Sequence, residues 1–396
     1  MERSSSSQRL ISRSPDLKRL DDEGYEVRIS SGSLLITHVP YVDANQHVQF
    51  GTLVSELALA GDITTTPGNH VVTFAGTAPC DANGILLDKI INSNTHQIVA
   101  DNVAVDFTFS SKPPEGYPDY YAKMTAYIAM LSSPAQVLEP SATATTFPTV
   151  EPEPDTSVFR YLDTASSRAG IEEVTRHLEL GRVAIVGLGG TGGYVLDLVA
   201  KTPVREIHLY DGDRFLQHNA FRSPGAASLE ELQEKPQKVA HFTAIYTHMR
   251  HHVIPHDVFI DESNVEQLRG MDFVFLAFDK GPAKRLVVER LVEYGVPFVD
   301  VGLGVFEVNG SLAGLLRVTS ATALRHDHVA SRIPFSDGDV NNDYSHNIQI
   351  ADLNALNAAL AVVKWKKHSG FYVDLEREHH STYQIDGNTI TNEDMG

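Results

Sequence analysis

The sequence holds one cysteine, no long apolar run and few basic residues, and each scarcity excludes a class of protein. Cys80 alone can form neither an internal disulfide nor a cysteine-based zinc site. No run of about 18 apolar residues occurs, so we expect no transmembrane helix. Lysine and arginine total 32 against 51 acidic residues, which argues against sequence-independent binding of nucleic acid. We therefore expect a cytoplasmic protein without a membrane or nucleic-acid partner.

Composition and periodicity predict two folded domains with tails and a linker. Residues 1–15 are rich in Ser and Arg, lack the apolar core of a signal peptide and are predicted to be a disordered tail. Residues 16–133 are predicted to form a small α+β domain, and residues 134–157, rich in Pro, Thr, Ala and Glu, a linker. Residues 158–374 are predicted to form the second domain, and residues 375–396 a C-terminal tail.

Each domain has its own pattern of elements. In the first, four runs rich in β-branched and aromatic residues predict strands, and Asp119–Leu131 predicts a helix. The strands are Leu34–Tyr41, His47–Thr52, His70–Ala75 and Val103–Ser110. In the second domain strands alternate with helices: Val183–Val186, a helix from Tyr194 to about Lys201, Glu206–Tyr210, Phe273–Phe278, the helix Pro282–Tyr294, and Val296–Val301.

This alternation predicts an α/β fold: a Rossmann-like, mixed but mainly parallel sheet with helices on both faces. Asn309-Gly310, between apolar runs, predicts a tight hairpin that adds antiparallel strands. Ile348–Lys367 predicts a long helix that ends before Gly370. Its predicted apolar stripe consists of Leu353, Leu356, Leu360 and Val363.

A glycine-rich loop joins the first strand of this domain to its first helix. Gly187, Gly189 and Gly192 form the pattern G-x-G-x-x-G, in which bare backbone lets phosphate reach N–H groups at the positive end of a helix. The next strand ends at Asp211, which lies 211 − 192 = 19 residues after the last glycine, the spacing of an acid that binds ribose. We interpret the loop as a nucleotide site; the alternative is a glycine turn needed only for tight packing.

Charged and amide residues after Asp211 indicate which nucleotide is bound. Asp213, Asn219, Arg222, Lys235 and Lys238 follow it, and Asp279 ends a later strand. Arginine and lysine can neutralise a triphosphate, and an aspartate at a strand end can hold magnesium. The combination suits attack of a carboxylate on an α-phosphorus with loss of pyrophosphate, which hydride transfer does not require.

The motifs GLGGTG, DGDRFLQHNAFR, a following lysine and FLAFD resemble the ThiF/MoeB superfamily, which includes ubiquitin-activating enzymes. The resemblance spans roughly Phe159–Lys367. It implies ATP and Mg²⁺ bound on a Rossmann-like sheet, adenylation of the terminal glycine of a ubiquitin-like or sulfur-carrier protein, and a homodimer. It also implies that the activated carrier passes to a conjugating enzyme or a sulfurtransferase.

The resemblance also implies roles for single residues. Gly187, Gly189, Gly190 and Gly192 would face the phosphates, and Asp211 the ribose. Asn219, Arg222 and Lys238 would contact the triphosphate and the forming adenylate, Asp279 would bind magnesium, and Asp213 and Lys235 complete the nucleotide-binding set. Lys238 is preferred to Lys235 as the family lysine because Val239 follows it. Arg168, with Arg160 as second choice, would reach the ATP of the other subunit; otherwise it is a solvated helix residue.

The chain also departs from the family. No cysteine follows residue 80, whereas ubiquitin-activating enzymes carry a catalytic cysteine after the adenylation core. The activated carboxylate must therefore pass to another molecule, to Cys80 or to a hydroxyl. Cys80 is predicted to lie in an exposed turn beside Asp81, which would raise the thiol pKa and disfavour a thiolate. Three histidine groups, at 248–252, 326–328 and 379–380, are predicted to be surface residues rather than metal ligands.

The first domain and the rival functions complete the interpretation. The runs GSLLITHVPYV and FSSKPPEGYPDYY resemble a domain fused before bacterial ThiF-like modules, and its predicted task is to recruit the carrier or its recipient.

One rival function is an NAD-dependent oxidoreductase with the same glycine loop, in which Arg222, Lys238 and Asp279 would be incidental. The other is a non-catalytic nucleotide-binding scaffold.

Overall fold

The computed structural model describes residues 2–3, 5–100, 103–152, 157–279, 281–335 and 348–395. The chain divides into two compact units. The first comprises Met1–Ser157 and Tyr161–Ile171, and the second Val158–Arg160 and Glu172–Gly396. Among the described residues, no helix is both long and apolar enough to cross a membrane.

The first unit is an antiparallel sheet with helices. Its elements are α1 Ser5–Arg13, α2 Pro15–Asp22, β1 Glu26–Ser30, β2 Ser33–Val42, β3 Val48–Glu56, β4 Val71–Ala75, β5 Ile91–Val99, β6 Val103–Ser110, α3 Tyr120–Leu138 and α4 Thr164–Ala169. The sheet order is β1-β2-β3-β4-β6-β5, with every pair antiparallel. Two-residue strands pair Glu2–Arg3 with Glu151–Pro152 and Leu59–Ala60 with Ile63–Thr64. This confirms the predicted small α+β fold.

Helix α3 closes the core of this unit. Asp119 caps its N-terminus by accepting a hydrogen bond from the N–H of Ala122 at 2.7 Å. The helix buries Tyr120, Met124 and Tyr127 in one apolar cluster with the sheet. The structure thus explains why this segment, with its dense aromatic and apolar residues, forms a helix that packs on strands.

The second unit is a larger α/β unit. Its elements are α5 Glu172–Thr175, β7 Arg182–Val186, α6 Gly190–Val199, β8 Glu206–Tyr210, α7 Gln217–Ala220, α8 Leu229–Glu234, α9 Lys238–Tyr246, β9 Val253–His256, β10 Phe273–Leu276, α10 Pro282–Tyr294, β11 Phe298–Val308, β12 Ser311–Ala321, α11 Val329–Arg332, α12 Ala351–His368, β13 Glu378–Gln384 and β14 Thr389–Met395. Two 3₁₀ turns cover Arg176–Leu178 and Val265–Gly270.

Eight strands form one sheet in the order β9-β8-β7-β10-β11-β12-β13-β14. The first five are parallel and the last three join antiparallel. The predicted Rossmann-like, mainly parallel fold is confirmed. The strand order reverses between β7 and β10, and in open α/β sheets ligands bind at the carboxyl ends of strands beside such a reversal.

The antiparallel hairpin β11–β12 has the predicted turn. Asn309 and Gly310 both have positive φ, 51° and 79°, which suits a two-residue turn between antiparallel strands. Helix α12 ends before Gly370, whose φ is 76°, as predicted. Its predicted apolar stripe is wrong, because Leu356 and Val363 are exposed. The face that the helix buries carries Asn354, Asn357, Ala358, Ala361 and Trp365.

The structure also corrects the predicted tails and the linker. Residues 5–13 are helical, with Leu10 and Ile11 buried, so the first fifteen residues are not a disordered tail where they are described. Residues 378–395 contain strands β13 and β14 in place of a C-terminal tail. The predicted linker begins inside α3, which contains Pro134. These segments are polar, and tertiary packing rather than local pattern makes them regular.

Candidate active site

The glycine-rich loop leaves β7 and enters α6 at the point where the sheet order reverses. Gly187 has φ of +90°, and a Cβ there would lie 2.5 Å from the Ala277 carbonyl oxygen. A Cβ on Gly192 would lie 1.9 Å from the Gly187 oxygen. Gly189 differs, because a Cβ there would meet nothing within 4 Å. Gly187 and Gly192 therefore allow the turn itself, and Gly189 leaves open space beside the helix N-terminus.

Asp211, at the end of β8, is joined to this loop. One carboxylate oxygen accepts a hydrogen bond from the N–H of Leu188 at 2.7 Å, and the other accepts from the N–H of Asp213 at 2.8 Å. The Lys238 Nζ atom lies 3.4 Å from Asp211 and 2.8 Å from Asp213. Asp211 and Lys238 are each 6% exposed. The structure therefore brings together Asp211 and Lys238, the residues predicted to bind ribose and phosphate, whereas Lys235 is exposed and lies at the end of α8.

Asn219 and Arg222 follow on the short helix α7 and the turn after it. The Asn219 side chain accepts a hydrogen bond from the N–H of Leu216 at 2.9 Å and so caps the helix. The Arg222 Nε atom is buried and has no hydrogen-bond partner among the described residues. A buried guanidinium nitrogen without a partner is costly, and an anionic ligand would satisfy it.

A cavity of about 550 Å³ borders the glycine-rich loop. Gly189, Gly190 and Asp279 line it, together with residues of β11, β12 and α12. Asp279 is exposed and follows β10. No cluster of three or more metal-binding side chains occurs in the described part of the chain. A single carboxylate fits magnesium, since this ion is commonly held by one or two carboxylates with phosphate oxygens and water.

Two cations that line the cavity, Lys284 and Arg317, share the carboxylate of Asp300. Asp300, fully buried, pairs with Lys284 Nζ at 2.6 Å and with Arg317 Nη2 at 2.6 Å. This group of three charges has one positive charge in excess, while Asp279 contributes a negative charge to the same cavity. A Cβ on Gly302 would lie 2.8 Å from Arg317 Nη2, so the glycine is needed for this arrangement. An anionic group in the cavity would meet a complementary charge.

Comparison with protein families agrees with this geometry. Residues 164–341 match the ThiF family, and residues 15–164 match a domain of unknown function (DUF6791). The chain therefore carries a ThiF family domain. A search of curated proteins found no match.

Solved structures resemble this protein over part of its length. E. coli MccB with MccA-N7isoAsn is 17% identical with a TM-score of 0.46, covering 56% of this chain and 66% of MccB. E. coli MccB with ATP is 19% identical with a TM-score of 0.43, over 56% of this chain and 66% of MccB. PaaA is 18% identical with a TM-score of 0.45, over 57% of this chain and 76% of PaaA. The chain thus spans just under two thirds of the length of MccB.

The remaining predicted residues lie elsewhere or in other surroundings. Arg168 belongs to the first unit, where its guanidinium contacts Asp22 of the same unit. Cys80 is 3% exposed, so the prediction of an exposed turn is wrong. Burial, and after it Asp43 and Asp81, raise the pKa of its thiol, which disfavours a reactive thiolate. The histidine prediction is wrong for His328, His379 and His380, which are buried.

Sequence reasoning missed the residues that build the cavity wall. Asp300 carried a signal, since a charge inside a buried run such as Phe298–Val301 demands a partner. Lys284 lies five residues after Asp279, on the next helix. Its charge could likewise have prompted a search for an ionic partner. Arg317 and Asn357 carried none, because only the strand register and the rotation of α12 bring them to the cavity.

Proposed function

We propose that the protein binds Mg·ATP and adenylates the C-terminal carboxylate of a protein or peptide. The observation that carries the proposal is that the buried pair of Asp211 and Lys238 and a large cavity both adjoin the glycine-rich loop. Gly189, Gly190 and Asp279 line this cavity, and so do the cations Lys284 and Arg317. A nucleotide on this loop would present its α-phosphorus toward a carboxylate in the cavity.

The chemistry needs position and charge rather than a general base. A carboxylate oxygen attacks the α-phosphorus, a new P–O bond forms, and the bond to the bridging oxygen of pyrophosphate breaks. Arg222 and Lys238 would neutralise charge on the phosphates, and Asp211 would hold the ribose. Magnesium, when held by Asp279, supplies further neutralisation of the leaving pyrophosphate. The carboxylate is already a nucleophile, so no proton needs to be removed.

In the finer form of the proposal, the substrate is a ubiquitin-like or sulfur-carrier protein and the enzyme a homodimer. In that dimer Arg168 of one subunit would reach the ATP of the other. The second unit holds no cysteine, and buried Cys80 is a poor nucleophile, so the activated carrier would pass directly to a partner protein. A size measurement in solution with Arg168→Ala activity tests this part: a monomer, or full activity of the variant, contradicts it.

Calorimetric titration with Mg·ATP and, separately, with NADH tests the central proposal. We expect magnesium-dependent ATP binding, about tenfold weaker in Asp279→Asn because one charged metal contact is lost, and no heat with NADH. Glu289→Gln, an exposed carboxylate on α10, is the matched control and should bind as the wild type does. NADH binding without ATP binding would instead favour the oxidoreductase. ATP binding that is indifferent to magnesium and to Asp279 would favour the scaffold.

A further inference from the structure

Helix α12 carries a buried asparagine where the helix passes the glycine-rich loop. Asn354 lies near the start of the helix and is fully buried. Further along the same face, Ala358 and Ala361 pack in one apolar cluster with residues of α6. An amide in such an interface is costly unless both its donor and its acceptor have partners. The partners that Asn354 has therefore show what the polar residue does there.

The Asn354 side chain joins two separate parts of the predicted nucleotide site. Its Oδ1 atom accepts a hydrogen bond from the Thr191 hydroxyl at 2.9 Å. Its Nδ2 atom donates to the main-chain oxygen of Arg222 at 3.3 Å. Thr191 belongs to the glycine-rich loop, whereas Arg222 follows α7. One amide on a third segment thus ties the loop to the predicted phosphate-binding arginine.

Gly190 leaves the room that this amide occupies. A Cβ on Gly190 would lie 2.0 Å from Asn354 Nδ2 and 2.8 Å from the main-chain oxygen of Arg222. These distances leave no space for a side chain. Gly190 is also the first residue of α6, whose N-terminus is the end of the helix that attracts phosphate. The contact therefore sets the position of Arg222 relative to that helix end.

Arg222 is anchored through its main chain, whereas part of its guanidinium group has no partner. Its N–H donates to the Asn219 oxygen at 3.0 Å, and its C=O accepts from Asn354. Its buried Nε atom has no hydrogen-bond partner among the described residues. A side chain that starts from a fixed main chain loses less conformational freedom when it meets a ligand. The anchoring therefore suits an arginine that binds an anion.

We propose that Asn354 is a positioning residue, which holds Arg222 at the distance from the glycine-rich loop at which its guanidinium group meets the triphosphate. The inference rests on the proposed adenylation and adds a residue that acts on ATP through another side chain. An asparagine that served only the helix interface would change ATP affinity by the same factor whether or not the Arg222 side chain is present. A residue that acts through Arg222 loses its effect when that side chain is removed.

A double-mutant cycle in ATP affinity tests this role. Calorimetry compares the wild type, Asn354→Asp, Arg222→Ala and the double variant, each titrated with a non-hydrolysable Mg·ATP analogue. Asn354→Asp keeps the shape and the acceptor for Thr191 but removes the donor to the Arg222 oxygen. We expect about tenfold weaker binding when Arg222 is present and less than about twofold when it is replaced. Equal factors in both backgrounds would overturn the inference.

The pH dependence of the same variant provides a second test, which needs no change at Arg222. The carboxyl group introduced by Asn354→Asp can donate to the Arg222 oxygen only when it is protonated, and burial favours the protonated form. Its deficit in affinity relative to the wild type should therefore shrink from about pH 8 to about pH 6. Asn354→Ala has no donor at any pH and should keep its deficit. A deficit of Asn354→Asp that stays constant over this range would overturn the inference.

Two controls separate this inference from the proposed function. Asp352→Asn changes an exposed side chain in the first turn of the same helix and should bind the analogue as the wild type does. If Asn354→Asp does not fold, the cycle is measured with Asn354→Ala, which should show the same dependence on Arg222. Absence of analogue binding by the wild type would refute the adenylation site itself. Binding by the wild type with equal factors in the cycle would refute only the role of Asn354.

Discussion

The carboxylate of Asp211 accepts a hydrogen bond from the main-chain N–H of Leu188 at 2.7 Å, inside the glycine-rich loop. The acid predicted to bind ribose therefore also fixes the loop that would bind phosphate. Its second oxygen is held by the N–H of Asp213 at 2.8 Å. If the predicted roles hold, one buried side chain would couple sugar recognition to phosphate recognition.

Asp211→Ala should lower both the stability of the protein and its affinity for ATP. It leaves the N–H of Leu188 and the ammonium of Lys238 without their buried partner, so we expect a loss of about 1–3 kcal/mol in unfolding free energy. ATP binding should become undetectable by calorimetry. Asp213→Ala is the control, because Asp213 is exposed, and its unfolding free energy should stay near the wild-type value. Equal stability of the two variants in urea would contradict the coupling.

The glycines of the loop should separate folding from binding. Gly192→Ala forces a methyl group against the Gly187 oxygen, 1.9 Å away, and should cost at least about 2 kcal/mol of unfolding free energy. Gly189→Ala meets no atom within 4 Å and should fold with a change of less than about 0.5 kcal/mol. Its methyl would stand in the phosphate space, so ATP affinity should fall. Urea unfolding and calorimetric ATP titration check both variants. If Gly189→Ala folds and binds ATP as tightly as the wild type, Gly189 does not border the phosphate site.

Asp300, which pairs with two cations that line the cavity, should be hard to replace. Asp300→Asn leaves Lys284 and Arg317, both largely buried, without their shared counter-charge. Breaking a buried pair from one side costs about 3–5 kcal/mol. The exposed pair of Arg290 with Glu293 gives the control, since Glu293→Gln should cost less than about 1 kcal/mol. Urea unfolding measures both variants. If Asp300→Asn loses as little unfolding free energy as Glu293→Gln, Lys284 and Arg317 are solvated and the prediction is wrong.

His368 should make the second unit sensitive to mild acid. Burial, and after it the charges of Lys364 and His379, lower the pKa of His368 from 6.5 to about 4, against the opposing effect of Asp374 and Glu378. Below pH 6.5 this histidine therefore becomes protonated in the unfolded chain, whereas in the folded chain it stays neutral down to about pH 4. Its contribution to the free energy of unfolding is complete above pH 6.5 and falls as the pH drops toward 4.

The size of this effect is measurable by urea unfolding at pH 7 and pH 5. Between these values the wild type should lose about 2 kcal/mol more than His368→Gln, from the linkage relation. The exposed His326 serves as control, and His326→Gln should lose as much as the wild type does. Parallel losses in wild type and His368→Gln would show that His368 titrates normally in the folded protein.

The local sequence pattern was enough to predict the strands and helices that have distinctive residues within or beside them. Glu206–Tyr210 and Pro282–Tyr294 have the predicted bounds, because apolar runs and a proline at the helix start mark them. The glycine-rich loop and Asp211 were predicted for the same reason. The cavity wall was not, since the pairing of Asp300 with Arg317 depends on the register of two antiparallel strands. Nor were β13 and β14, whose polar sequences become strands only beside β12.

The products formed from ATP test the central claim most directly. Protein, Mg·ATP and N-acetyl-Ala-Ala-Gly-Gly are incubated with hydroxylamine, which traps an acyl-adenylate, and phosphorus NMR identifies the nucleotide. The account predicts AMP and pyrophosphate, dependent on the peptide and lost in Lys238→Ala and Asp279→Asn. Release of ADP and phosphate, or no AMP at any peptide concentration, would contradict it.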